Sequence, residues 1–256
     1  MRVRTALILL AIACWDAWRL LAGRIEDGVS IVTALVLLVG LIWRLRRLVP
    51  QAEVPAPLLA GLLALYALAS WTGPALFQIG AAIVAVVLTA AARERLTARL
   101  PAVGAALLLL PVLPTLDFLL AYPLRRISAL ITAGLLRMNG MAVSVEGVAL
   151  DWHGQRLLFD GPCSGVKMLW AVLLLANLVA LAQGAGFWRY LRLLGVATVA
   201  AVAGNALRAA SLFYLENGFV ERLRGPVAHE AVGIVAFLML GAAILMASRW
   251  MERRVA

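Results

Sequence analysis

Cysteine and histidine are nearly missing from this chain. Two cysteines, Cys14 and Cys163, cannot make a disulfide framework. Neither they nor the two histidines, His153 and His229, show zinc-type spacing, so no metal site is expected and no cofactor is implied. Acidic residues are also few, 13 against 23 basic ones. There is no strong internal repeat and no low-complexity tail, which leaves no sign of a repeat array or a disordered arm.

Apolar side chains fill the space. They make up 64% of the 256 residues, against about 45–50% in a soluble domain. Mean hydropathy is +0.97. The excess comes in repeated blocks, which points to an all-α polytopic membrane protein with about eight transmembrane helices. The expected spans are Thr5–Ala22, Val29–Trp43, Pro57–Thr72, Ala75–Ala92, Ala102–Tyr122, Cys163–Gln183, Tyr190–Tyr214 and His229–Ser248. "MRVR" before the first block looks like the start of a signal peptide. No small-residue cleavage site follows "CWDAWRLLAG", so a retained span is expected. The whole chain, 1–256, reads as a single integral membrane domain.

Basic residues set the orientation. With both termini placed in the cytoplasm, the cytoplasmic segments hold 13 of the 23 basic residues and only three acids, Glu53, Glu94 and Glu252. The remaining ten basic and ten acidic residues cancel, so the whole net charge of +10 falls on one side. Such loops anchor topology beside anionic lipid; a nucleic-acid partner is not expected.

The stretch 123–162 breaks the pattern and is expected to be an extracytoplasmic insertion. "PLRRISALITAGLLRMNG" has helical apolar spacing with Arg125, Arg126 and Arg137 interspersed, which predicts an amphipathic interfacial helix. "VSVEGVAL" and "RLLF", around a "DWHGQ" turn, predict a β-hairpin.

Three residues of the expected outer side carry possible chemistry. Cys163, in "DGPCSGVKML", opens the sixth span, where a helix N-terminus favours the thiolate. Arg208, in "GNALRAASLFYLENG", lies six residues before Tyr214, about 9 Å below the helix end. An arginine inside a span is costly unless paired or watered. His229, in "PVAHEAVG", opens the eighth span and can move a proton near neutral pH. Each has a plainer reading. Cys163 could be a packing residue, Arg208 a structural ion pair with Asp117 or Glu216, and His229 an interfacial side chain. Read together, the thiol would attack a peptide carbonyl, the guanidinium would hold the oxyanion and the imidazole would shuttle the proton. Asn205 would bond the guanidinium or the substrate, and Gly161 and Gly165 would allow close backbone approach. Ser164 is a candidate helix cap.

"CSG" at 163–165, "NALR" at 205–208 and "HEAVG" at 229–233 resemble the exosortase/archaeosortase family. The likeness is clear from about Leu100 to Ser248 and only general in character before that. The resemblance implies a membrane-embedded thiol protease and transpeptidase with Cys163 as nucleophile and Arg208 and His229 as partners. It also implies a plasma (inner) membrane location with the active site outside. The implied partners are exported proteins with a C-terminal sorting signal of the PEP-CTERM type: a short motif often containing Pro-Glu-Pro, a transmembrane helix and a basic cluster. One departure stands out: many members carry Arg shortly after "CSG", where this chain has Val166 and Lys167. Two other readings stay open. One is a rhomboid-like intramembrane serine protease using Ser164 and His229. The other is a transporter or non-enzymatic assembly factor, with Pro111, Pro114 and Asp117 as its candidate helix break.

Overall fold

The computed structural model describes residues 1–23, 53–92, 96–108, 113–158, 164–217 and 226–253. The chain divides into two compact units. The first comprises residues 1–112 and 181–187, and the second 113–180 and 188–256.

In the first unit, α1 (Val3–Ala13) and α2 (Trp15–Ala22) meet at Cys14 with a bend of 65°. Val3, Ala6, Leu10, Cys14 and Ala17 recur at helical spacing and are almost fully buried. They pack with α3 (Ala56–Thr72) and α4 (Ala75–Ala90), through Leu59, Leu62, Ile79 and Ala82. Cys14 therefore fills space in an apolar core. The amino end is tied down where the Val54 N–H donates to Met1 O at 2.8 Å. A short helix, α5 (Leu96–Leu108), completes this unit.

The second unit is built from α6 (Leu113–Met138), strands β1 (Ser144–Glu146), β2 (Ala149–Trp152) and β3 (Gln155–Leu158), and helices α7 (Val166–Ala182), α8 (Phe187–Glu216) and α9 (Pro226–Arg253). Small residues face inward: Ala129, Ala133, Ala176, Ala197 and Ala206 are 0–1% exposed. Large ones face out: Phe118, Val199, Leu238 and Met246 are among the exposed apolar residues. Close helix packing through small residues, with a greasy exterior, is the arrangement a hydrocarbon solvent favours. A buried polar pair adds a fixed point, with Tyr190 Oη donating to Asn177 Oδ1 at 2.8 Å. Tyr190→Phe leaves that acceptor unsatisfied and is expected to cost about 1–3 kcal/mol. Thermal unfolding in detergent checks it, and Tyr190→Phe with Asn177→Leu should recover part of the loss.

Fewer helices have spanning length than the apolar blocks suggested. By length and composition, α6, α8 and α9 can cross a membrane, and α1 with α2 makes a fourth if the bent pair is one span. The other apolar helices are shorter, and the count of eight is not reached among the described residues. The expected spans at 57–72, 75–92 and 163–183 form helices of 17, 16 and 17 residues. At 1.5 Å per residue these reach about 25 Å, short of a ~30 Å hydrocarbon core. The expected span Val29–Trp43 lies outside the described residues.

Two further expectations are redrawn. The amphipathic segment after Tyr122 is not a separate helix, because α6 runs unbroken through Pro123 to Met138. Proline is tolerated inside such helices when neighbours stabilise the turn it loosens. Here the next turns bury Ser128, Ala129, Thr132 and Ala133. The single expected hairpin is a three-stranded antiparallel meander, β1-β2-β3. "VSVEGVAL" folds back on itself at Gly147, whose φ is +63°, so Glu146 pairs with Ala149. The second turn holds His153 and Gly154 at φ +52° and +78°, the pattern of a tight two-residue hairpin loop. Asp151 Oδ1 accepts the Gly154 N–H there. A meander this small needs a support. Val143 and Leu150 pack with Leu136 and Phe213, and the Trp152 ring meets Phe213 edge-on at 5.4 Å.

Candidate active site

Helix α7 begins at a glycine because of what lies against it. Gly165 O accepts the first intrahelical bond, from Leu169 N–H at 2.8 Å. Gly165 has φ +77°, a conformation most side chains avoid. A Cβ there would stand 2.9 Å from Asn205 Nδ2 and 3.0 Å from its Cγ. The third residue of "CSG" thus packs directly on the first residue of "NALR". Ser164 is buried, and its Oγ accepts a long hydrogen bond from Val166 N–H at 3.4 Å. Beyond it, Val166 is buried and Lys167 exposed.

Asn205 is held from the other side by α6. Its Nδ2 donates to Ser128 Oγ at 2.9 Å, and both residues are nearly solvent-free. One turn along α6, Thr132 Oγ1 donates to Ala206 O at 3.1 Å. These buried bonds fix the angle of α6 against α8 at the level of the motif. Neither Ser128 nor Thr132 stood out in the sequence. Polar residues at 125, 128 and 132, one helix face in an apolar helix, are the signal that would have found them.

Arg208 lies one turn beyond Asn205. A Cβ on Gly233 would come within 3.7 Å of Arg208 Nε, so the fifth residue of "HEAVG" is small where the guanidinium passes. One turn inward, Gly204 faces Leu240, whose side chain would stand 2.9–3.1 Å from an added Cβ. The two antiparallel helices therefore approach through glycines. Between them runs an apolar groove of about 520 Å³ with Ala203, Gly204, Ala236 and Met239 in its walls and Arg208 as its charged lining residue.

Of the residues the sequence marked, Gly165 packs on Asn205, Ser164 adjoins Gly165, and Arg208 follows one turn along α8. Position 229 is one helical turn before Gly233 in α9, on the same face by helical spacing. Its side chain, and Cys163 and Gly161 entirely, lie outside the described residues. Asp117, the residue of the expected helix break, is exposed on α6, while Pro114 stands in that helix's first turn. Pro111 lies outside the described residues. No group of three or more His, Cys, Asp or Glu that could hold a metal occurs among the described residues.

The Gly165–Asn205 contact makes a testable demand. Gly165→Ala is expected to cost about 2–4 kcal/mol, from the left-handed backbone and the overlap with Asn205. Gly134→Ala and Gly195→Ala, where an added Cβ meets nothing within 4 Å, are expected to be neutral or stabilising. Thermal midpoints of the three purified variants check this.

A family model described as "Transmembrane exosortase (Exosortase_EpsH)" matches residues 4–246, nearly the whole chain. No curated protein matches, and no solved structure matches.

Proposed function

Because this chain belongs to the transmembrane exosortase family, we propose that it is a cysteine transpeptidase or endopeptidase acting on C-terminal sorting signals of exported proteins. Family membership points to a membrane transpeptidase acting on sorting signals. The observation that supports the finer reading is the packing of Gly165 on Asn205, with Arg208 one turn away against Gly233. Gly165 of the first motif meets Asn205 of the second, and Arg208 of the second passes Gly233 of the third.

In this reading the Cys163 thiolate attacks the carbonyl carbon of the scissile amide. The carbonyl π pair moves onto oxygen, where Arg208 holds the negative charge in a dry setting. The pair returns, the C–N bond breaks, and His229 gives its proton to the departing amine. A thioester remains on Cys163. Water or an acceptor amine then attacks it, His229 takes that proton back, and the thiolate leaves. The apolar part of the substrate packs in the groove between α8 and α9, where Ala203 and Gly204 permit close helix approach. The scissile bond then sits at the Arg208 level. The protein resides in the plasma (inner) membrane with both termini cytoplasmic and this site outside. The departure after "CSG" is not filled by Lys167, which is exposed.

The serine-protease reading is disfavoured, since Ser164 is buried with its oxygen engaged by the start of α7. The deciding experiment coexpresses the protein with a reporter ending in a Pro-Glu-Pro motif, an apolar helix and a basic cluster. Acid quench and mass spectrometry should find the reporter joined to the peptide containing Cys163, as a hydroxylamine-labile thioester. An adduct on Ser164, or cleavage with no covalent species under any quench, would overturn the proposal.

A further inference from the structure

One buried polar contact ties the candidate site to a helix that carries none of its motifs. Asn205 and Ser128 are 2% and 1% exposed, and Asn205 Nδ2 donates to Ser128 Oγ at 2.9 Å. Their level is otherwise small and apolar, with Ala129, Ala206 and Ala209 all buried. Holding α6 to α8 there needs no polar pair, since apolar groups of the same shape would do nearly as well. What the pair adds is direction. The outer torsion of an asparagine is broad and roughly twofold, so packing alone lets the amide sit either way round. An acceptor fixed on α6 decides which way its Nδ2 points.

Gly165 bounds the same amide from another helix. A Cβ on Gly165 would stand 2.9 Å from Asn205 Nδ2, so this backbone already lies against the side chain. Gly165 follows Cys163 by two residues in the sequence, and Arg208 lies one turn beyond Asn205 on α8. We infer that Ser128 is a positioning residue for the reaction. It acts through Asn205: the Ser128 oxygen selects the orientation of the amide, and the amide sets the spacing between the turn that opens α7 and the helix that carries Arg208. The inference rests on the proposed activity. Thr132 supplies the comparison. It is fully buried one turn further along α6, and its Oγ1 donates to Ala206 O at 3.1 Å. That bond joins the same two helices but ends on backbone, so it orients no side chain.

The test measures single-turnover processing of the sorting-signal reporter by full-length variants in membranes, per folded molecule. Ser128→Ala should slow the rate at saturating reporter about 10- to 100-fold, the cost of a small misplacement, with the half-saturating concentration within about twofold of wild type. Thr132→Val should stay within about twofold of wild type in both. Ser128→Thr keeps the oxygen and should recover most of the rate. If Ser128→Ala does not accumulate, Ser128→Cys takes its place, a weaker acceptor with a smaller loss expected. Asn205→Ala should be slow, and adding Ser128→Ala to it should change the rate by no more than about twofold, because the two act as one unit. Equal losses in Ser128→Ala and Thr132→Val overturn the inference and make the contact a helix joint only. So do losses of Ser128→Ala and Asn205→Ala that multiply, an Asn205→Ala variant at the wild-type rate, or an effect confined to the half-saturating concentration. All of these leave the proposed function standing. Undiminished processing by Cys163→Ala overturns the proposed function, and this inference with it.

Discussion

Cys163→Ala is expected to abolish reporter processing, while Cys14→Ala leaves it at the wild-type rate. The contrast follows from position and chemistry. Cys14 is fully buried in the α1–α4 core, surrounded by Leu10, Ala17 and Ile79, where a thiol behaves as a small hydrophobe. Alanine there removes one sulfur atom's packing and should read out as a modest loss of thermal stability. Cys163 immediately precedes Ser164 in the sequence, and in the proposed mechanism its sulfur is the nucleophile. An alanine methyl can neither attack a carbonyl nor leave from a thioester, so the loss should be complete within assay limits. Immunoblots of coexpressed reporter give the result directly. Processing that survives Cys163→Ala would remove the cysteine mechanism.

Arg208→Ala should lower the processing rate about 100- to 1,000-fold, the range found when a single oxyanion-stabilising donor is removed. The variant should remain folded, because Arg208 lines an open groove, not the packed core. An added Cβ on Gly233 would stand 3.7 Å from Arg208 Nε, in ordinary contact, so a methyl fits there and a larger side chain would meet the guanidinium. Lysine carries the charge on a different stem without the planar fork, so Arg208→Lys should recover only part of the rate. Gly233→Leu should mimic the defect by pushing the guanidinium aside while leaving its charge intact. Single-turnover rates with saturating reporter separate this from weakened binding: a fall in the chemical step is expected. A change confined to the reporter concentration needed for half-maximal rate would make Arg208 a binding residue instead.

The candidate site was legible in unequal parts. "CSG", "NALR" and "HEAVG" could be read because charged or nucleophilic residues in an apolar chain cost too much to be accidental. Asn205 and Gly165 were marked separately, yet nothing local states that they touch; that contact needs α7 and α8 side by side. Ser128 and Thr132 were passed over because a lone hydroxyl in an apolar run is ordinary, and only the facing helix turns it into a clamp. Pro123 misled the boundary for the reverse reason. Locally it disfavours a helix, but α6 buries the turns beyond it and continues to Met138.

Composition and the blocks of apolar residues pointed to a membrane protein and marked which residues are chemically out of place. Those properties are sums over the chain or its local windows, and solvent preference alone fixes them. The tertiary structure decided how long the described helices run, that the strands at 144–158 form a three-stranded meander, and which helix faces meet within each unit. Packing of small residues and a few buried hydrogen bonds between distant segments select those outcomes, and neither is written in any one stretch of sequence.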